Sequence, residues 1–221
     1  MNLSADIGIN SHYWGNSMAR AKGSTGQAKV ISKQEFNRVL AVIKGEQGKH
    51  MYRNQVIVAI SYYLGLRSSE LANLKLLHLI DRSGSLRDHI RLSSHMTKGG
   101  KHRDVYLSHK GLRSILLEYI SHQFGENPPV ERHRMPFFSS QKGGRFSAKT
   151  IAQLIKQMYL AAGIEGATSH SGRRTMITNL ATMGVDIKSI AKIAGHSNIS
   201  TTALYIDANP TKLANILSRL D

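Results

Sequence analysis

The feature that most restricts how this chain can fold is a change of hydrophobic period in its middle. Two short segments, "DHIRLS" (residues 88–93) and "RDVYLS" (103–108), alternate apolar and polar residues, whereas the chain on either side repeats them at helical spacing. Period two sorts side chains onto the two faces of a strand; a period near 3.6 gathers them along one stripe of a helix. The segments are joined by "SHMTKGGKH", in which Gly99 and Gly100 supply a turn. They read as one β-hairpin set inside a helical protein.

The helical part begins at "SKQEFNRVLAVIKG", where Ser32 and Glu35 have capping-box spacing and Phe36, Val39, Leu40 and Ile43 share a face. Further helices are expected over about 51–64, through "SSELANLKLL", and near 109–123. "SAKTIAQLIKQMYLAAG" places Ile151, Leu154, Ile155 and Met158 on one stripe and stops at Gly163. "RRTMITNLATMG" and "DIKSIAKIAG" are each closed by Gly, and "NPTKLANILSRL" is a last amphipathic segment. The fold class is therefore mainly α with a small antiparallel β-sheet, an α+β arrangement. Residues 1–30, rich in Gly, Ser, Asn and Ala without a sustained period, read as an N-terminal arm or linker, and 31–221 as one domain.

Charge narrows the partners. Thirty Lys and Arg against fourteen Asp and Glu give +16 over 221 residues. Such an excess suits a polyanion, because each neutralised phosphate releases condensed counterions. Between Glu131 and Glu165 there is no acidic residue, yet Arg132, Arg134, Lys142, Arg145, Lys149 and Lys156 are all basic. This stretch reads as a nucleic-acid surface. No apolar run is long enough for a membrane span, no secretory core is present at the N-terminus, and cysteine is absent. A cytoplasmic location without membrane, disulfide or thiolate metal chemistry is expected.

Four places combine reactive or anion-binding groups with structural punctuation: Arg67 in "LGLRSSEL", Lys98 and Lys101 in "TKGGKHR", His170 and Arg173 in "SHSGRRT", and His196 in "GHSN". Tyr205 follows His196 by nine residues. Taken singly, each has a plain explanation. Arg67 can pair with Glu70, the lysines can be solvated turn residues, the histidines can cap helices, and Tyr205 can be a core aromatic.

Taken in order, "GLRSSEL", "HSGRR" and "GHSNISTTALY" resemble the motifs of the tyrosine recombinase (phage integrase) family, over about residues 31–221. The resemblance implies the mostly α catalytic domain shared with type IB topoisomerases, and site-specific DNA cutting and rejoining through a 3′-phosphotyrosine. It makes Tyr205 the nucleophile and Arg67 and Arg173 a phosphate clamp. His196 becomes a further phosphate donor, and His170 the group that assists proton transfer at the tyrosine. Lys98 becomes the acid for the leaving 5′-oxygen, with Lys101 as the alternative, while Glu70 supports the site from within.

The chemistry of these residue types agrees. Guanidinium groups hold phosphate bidentately and stay charged; a phenol of pKa near 10 attacks only where cations and a base assist. With charge supplied by side chains, neither a metal nor another cofactor is expected. "HMTKGGK" has His95 where a phosphate-binding Walker loop needs Gly, so ATP is not expected either. Lys101, Arg103, Lys142, Arg145, Lys149 and Arg174 are candidate DNA contacts. The expected partners are double-stranded DNA, further copies of the chain in a tetrameric synapse, and accessory DNA-bending proteins. About thirty residues precede Ser32 where most family members carry a core-binding domain, so none is expected here. The 211–221 segment either docks on a neighbouring subunit or packs at home. The alternatives to a recombinase are a type IB-like topoisomerase and a non-cutting DNA-binding accessory protein.

Overall fold

Helix α2, Met51–Leu64, is apolar on almost every side, with Val56 to Ile60 fully enclosed. A helix of this kind is stable only at the centre of a bundle. In the computed structural model, which describes residues 27–46, 48, 50–97, 100, 102–140 and 144–205, three other helices pack around it. Helix α1 (Lys33–Gly45) lies on one side; α5 (Lys110–Phe124) and α7 (Ser171–Thr182) cover others. The capping box at the start of α1 forms: Ser32 Oγ accepts from the Glu35 amide, and Glu35 accepts from the Ser32 amide. Phe36 then stacks on Tyr62 of α2 at 3.9 Å between ring centres.

The expected helix through "SSELANLKLL" is two pieces, α3 (Ser68–Ala72) and α4 (Leu76–Leu79). Asn73 ends α3, its side chain donating to the Ser69 carbonyl. The backbone at Leu74 and Leu76 bonds instead to Phe137 and Met135. A pairing with the distant residues 135–137 of the same chain thus replaces one turn of helix.

The hairpin forms where the alternation predicts. Strands β1 (His89–Leu92) and β2 (Arg103–Tyr106) are antiparallel, with Ile90 opposite Val105 and Leu92 opposite Arg103. Ile90, Leu92 and Val105 turn toward the core, and so does Arg103. The connection contains a short 3₁₀ turn, Ser94–Met96, and Gly100 has a φ of 68°; Lys98, Gly99 and Lys101 lie outside the described residues.

Helix α6 (Ala148–Ala161) buries Ile151, Leu154, Ile155 and Met158, as its stripe predicts. Helices α7, α8 (Ile187–Ala194) and α9 (Ile199–Ala203) complete the described chain. Beside the main core, Met176, Ile177, Ile190 and Ala194 form a small second cluster between α7 and α8, against which Tyr205 packs. Gly172 is required by proximity: a Cβ there would lie 2.6 Å from the Ser61 carbonyl carbon, so α7 can approach α2 only with glycine at this place. The last part of the expected arm is docked on α7, with Arg174 donating to the Ala28 carbonyl and the Ile31 amide donating to Thr175. The rest of the arm (residues 1–26) and the 211–221 segment lie outside the described residues. Among the described residues, no helix is long and apolar enough to cross a membrane.

Candidate active site

The end of α8 organises the site. A helix leaves its last carbonyls without intrahelical partners, and its dipole makes that end negative. Here three successive carbonyls are each taken by an arginine from a different part of the chain. Arg103 of β2 donates to Ile193 at 2.7 Å, Arg173 of α7 donates to Ala194, and Arg67 donates to Gly195 at 3.3 Å. Gly195 ends α8 with a φ of 67°, and a Cβ on it would lie 2.6 Å from Arg103 Cδ. The glycine in the "GHSN" motif therefore lets α8 stop tightly against a guanidinium stem.

Glu70 is the counter-charge. It is fully buried; one oxygen accepts from Arg67 Nη1 at 3.0 Å, and the other accepts from the Arg67 amide at 2.7 Å and Arg103 Nη2 at 2.6 Å. Arg67 is the N-cap residue of α3, so Glu70 closes a capping interaction as well as an ion pair. Arg173 is 3% exposed and also donates to the Gly65 carbonyl at 2.9 Å. Burial, then Arg67 and Arg103 beside it, lower its pKa. A guanidinium nonetheless stays charged near neutrality. Three guanidinium groups thus converge with one carboxylate among them, leaving positive charge for an anion.

His196 and Tyr205 flank this cluster. Their rings stack at 5.9 Å between centres, tilted by 19°. His196 Nδ1 lies 2.8 Å from Thr202 Oγ1, and the Tyr205 amide donates to the Thr202 carbonyl at 3.0 Å. Burial, then Arg173, Arg67 and Arg103, push the His196 pKa down to about 4, so the ring is neutral at physiological pH. His170 sits just before α7 with an exposed edge; partial enclosure and the nearby Arg173 and Arg67 lower its pKa too.

The structure thus brings together Arg67, His170, Arg173, His196 and Tyr205. Lys98, Lys101 and Lys142 lie outside the described residues. Arg145 and Lys149 are exposed at the start of α6, with Arg145 donating to Asn73 Oδ1. Arg103 corrects the sequence reading. It is no surface contact for DNA, because burial leaves it 7% exposed and its guanidinium is committed to Glu70 and Ile193. Arg174 is partly buried and holds the Ala28 carbonyl. Thr202 escaped the sequence reading altogether. Among the described residues, no group of three or more His, Asp or Glu side chains is placed to hold a metal ion.

Comparison with known proteins matches the chain to a family. The profile of the phage integrase family matches residues 29–212. The tyrosine recombinase XerA of Pyrococcus furiosus is 28% identical over 193 residues, covering 86% of this chain and 61% of the relative. The XerA of Thermococcus kodakarensis is 31% identical over 184 residues, covering 80% and 57%. The crystal structure of a XerA recombinase superposes with a TM-score of 0.66 at 26% identity, over 86% of this chain and 64% of that one. The XerH recombinase bound to its difH substrate shares the fold, with a TM-score of 0.65 at 22% identity, over 87% and 54%. The chain spans roughly half to three fifths of the curated relatives it matches.

Proposed function

The chain belongs to the phage integrase family, and on that premise we propose that it is a site-specific tyrosine recombinase acting on double-stranded DNA. The observation that carries the reading is the convergence of Arg67 and Arg173 on the end of α8, with His196 and Tyr205 alongside. The two guanidinium groups and His196 Nε2 bind the non-bridging oxygens of the scissile phosphate. Tyr205 Oη attacks phosphorus, and the bond to the 5′-oxygen breaks. The phenolic proton passes to His170, and Lys98 or Lys101 protonates the leaving 5′-oxygen. The 3′-phosphotyrosine retains the energy of the broken diester, so a 5′-hydroxyl of another strand can reverse the step without ATP. Positive charge on the phosphate comes from side chains. The working form is several copies of the chain on paired half-sites, with DNA-bending proteins as helpers, on DNA in the cytoplasm.

The test is covalent trapping on a nicked suicide substrate in excess EDTA, with the substrate taken from DNA found attached to the protein in cells. Wild type should form the adduct; Tyr205→Phe should bind DNA and form none. An adduct persisting in Tyr205→Phe, or cleavage lost in EDTA and restored by magnesium, overturns the reading.

A further inference from the structure

Thr202 is the one residue of α9 that is buried; its neighbours Ser200, Thr201 and Ala203 face solvent. Its hydroxyl behaves differently from those of Thr175 and Thr182. Thr175 and Thr182 donate to carbonyls four residues earlier, on Ser171 and Thr178, the usual helical choice. Thr202 Oγ1 instead meets His196 Nδ1 at 2.8 Å, while its own carbonyl accepts the Tyr205 amide. One residue therefore holds both the histidine ring and the backbone of the tyrosine.

We infer that Thr202 is a positioning residue for the proposed strand-transfer reaction: its hydroxyl donates to His196 Nδ1 and so fixes the proton of that ring on Nε2. The inference rests on the recombinase reading for its catalytic meaning, and on geometry for its hydrogen bond. A hydroxyl carries one proton, and a buried donor needs an acceptor. Among the described residues, His196 Nδ1 is the acceptor within reach of Thr202 Oγ1. Were Nδ1 itself protonated, the hydroxyl proton would be buried without a partner. With Nδ1 accepting, the neutral imidazole carries its proton on Nε2, which makes no hydrogen bond among the described residues.

The tautomer decides what this ring can do. Burial, and then the nearby charges of Arg173, Arg67 and Arg103, oppose protonation of His196, so the neutral ring presents one N–H group. Only the Nε2–H form directs a donor toward a phosphate oxygen; the other form directs a lone pair at an anion. Thr202 also links the ring to Tyr205 through three residues of backbone, so the donor and the nucleophile move as one piece.

The experiment uses the full chain with ¹⁵N-labelled histidine and three proteins: wild type, Thr202→Ser and Thr202→Val. Imidazole ¹⁵N shifts, read without DNA, should show His196 Nδ1 as a hydrogen-bonded acceptor and Nε2 as protonated in wild type and Thr202→Ser. Thr202→Val, nearly the same size, should lose the hydrogen-bonded signature. It should also cleave the suicide substrate roughly 10–100-fold more slowly, the range for losing a group that orients a functional histidine. Thr202→Ser should retain the rate. A protonated Nδ1 in wild type overturns the inference whatever the variants do, as does wild-type cleavage by a folded Thr202→Val. If wild type shows the stated tautomer but cleaves no DNA, the recombinase reading fails and takes the catalytic half of the inference with it.

Discussion

Replacing Glu70 by Gln removes one charge and almost no volume, which makes it a clean probe of the buried cluster. In the wild type, Glu70 receives three hydrogen bonds, two from Arg67 and one from Arg103, and has no access to water. The amide that replaces it keeps one acceptor oxygen. Its best orientation puts that oxygen where the Arg67 amide and Arg103 Nη2 converge, and then turns its own N–H₂ donor toward the donor Arg67 Nη1. The three guanidinium groups also lose the carboxylate that lies among them. Removing one partner of a buried ion pair costs about 3–5 kcal/mol. For a chain of this length each kcal/mol lowers Tm by about 2–4 °C, so the expected fall is about 6–20 °C.

Thermal unfolding followed by far-UV circular dichroism measures this directly, and Glu35→Gln is the control. Glu35 pairs with Lys29 at 2.7 Å, but that pair is open to solvent, with the lysine side chain 40% exposed. Glutamine also preserves the capping box, so the control should lose less than about 1 kcal/mol. If Glu70→Gln falls by no more than Glu35→Gln, the buried carboxylate is not what holds the arginines, and the account of the cluster is wrong.

Two further outcomes follow from the same geometry, and a third from the proposed reaction. Gly172→Ala drives a methyl group into the Ser61 backbone and should destabilise the protein by about 1–3 kcal/mol or more, read as a lower urea midpoint; an unchanged midpoint would mean that α2 and α7 are not in contact there. His196 and His78 are both held near 4, by burial first and then by neighbouring cations. Their depressed folded pKa values mean that the unfolded chain binds protons more readily. Stability should therefore be full above about 6.5 and fall as the pH drops from 6.5 toward 4. A urea midpoint flat between pH 7.5 and 5 would contradict it. Lys98→Ala should slow cleavage by about 10²–10⁴-fold, the range for a lost general acid. A 5′-bridging phosphorothiolate should restore most of that loss, whereas restoration in Lys101→Ala alone would move the role to Lys101.

Among the described residues, the fold was legible where the sequence carries a period or a stop. The stripe of α6, the capping box of α1 and the alternation of the hairpin are local, and each appears where its residues put it. The third helix was misread as continuous because its break is not local. The sequence from Ser68 to Leu77 contains no Gly or Pro, and α3 ends because residues 135–137 supply the hydrogen bonds that another turn would have made. No window of ten residues contains the segment that wins this competition.

The close approaches around the candidate site are marked in the sequence by glycines before Arg67, Arg173 and His196: a Cβ on Gly65 would meet Met176, one on Gly172 the Ser61 backbone, and one on Gly195 the Arg103 stem. Arg103 shows what charge counting misses. The excess of basic residues drew it into the DNA-contact reading, yet the alternation that identified β2 already assigned its direction. Arg103, Val105 and Leu107 share parity, and the face that buries Val105 and Leu107 must bury Arg103 as well. A buried arginine needs a carboxylate. The "LGLRSSEL" motif holds one, Glu70, on the same helix face as the clamp arginine. What the sequence could not supply was the distance between them, since β2 and α3 meet only through the packing of the whole domain, 33 residues apart in the chain. Parity gave the direction of Arg103, and tertiary structure gave its partner.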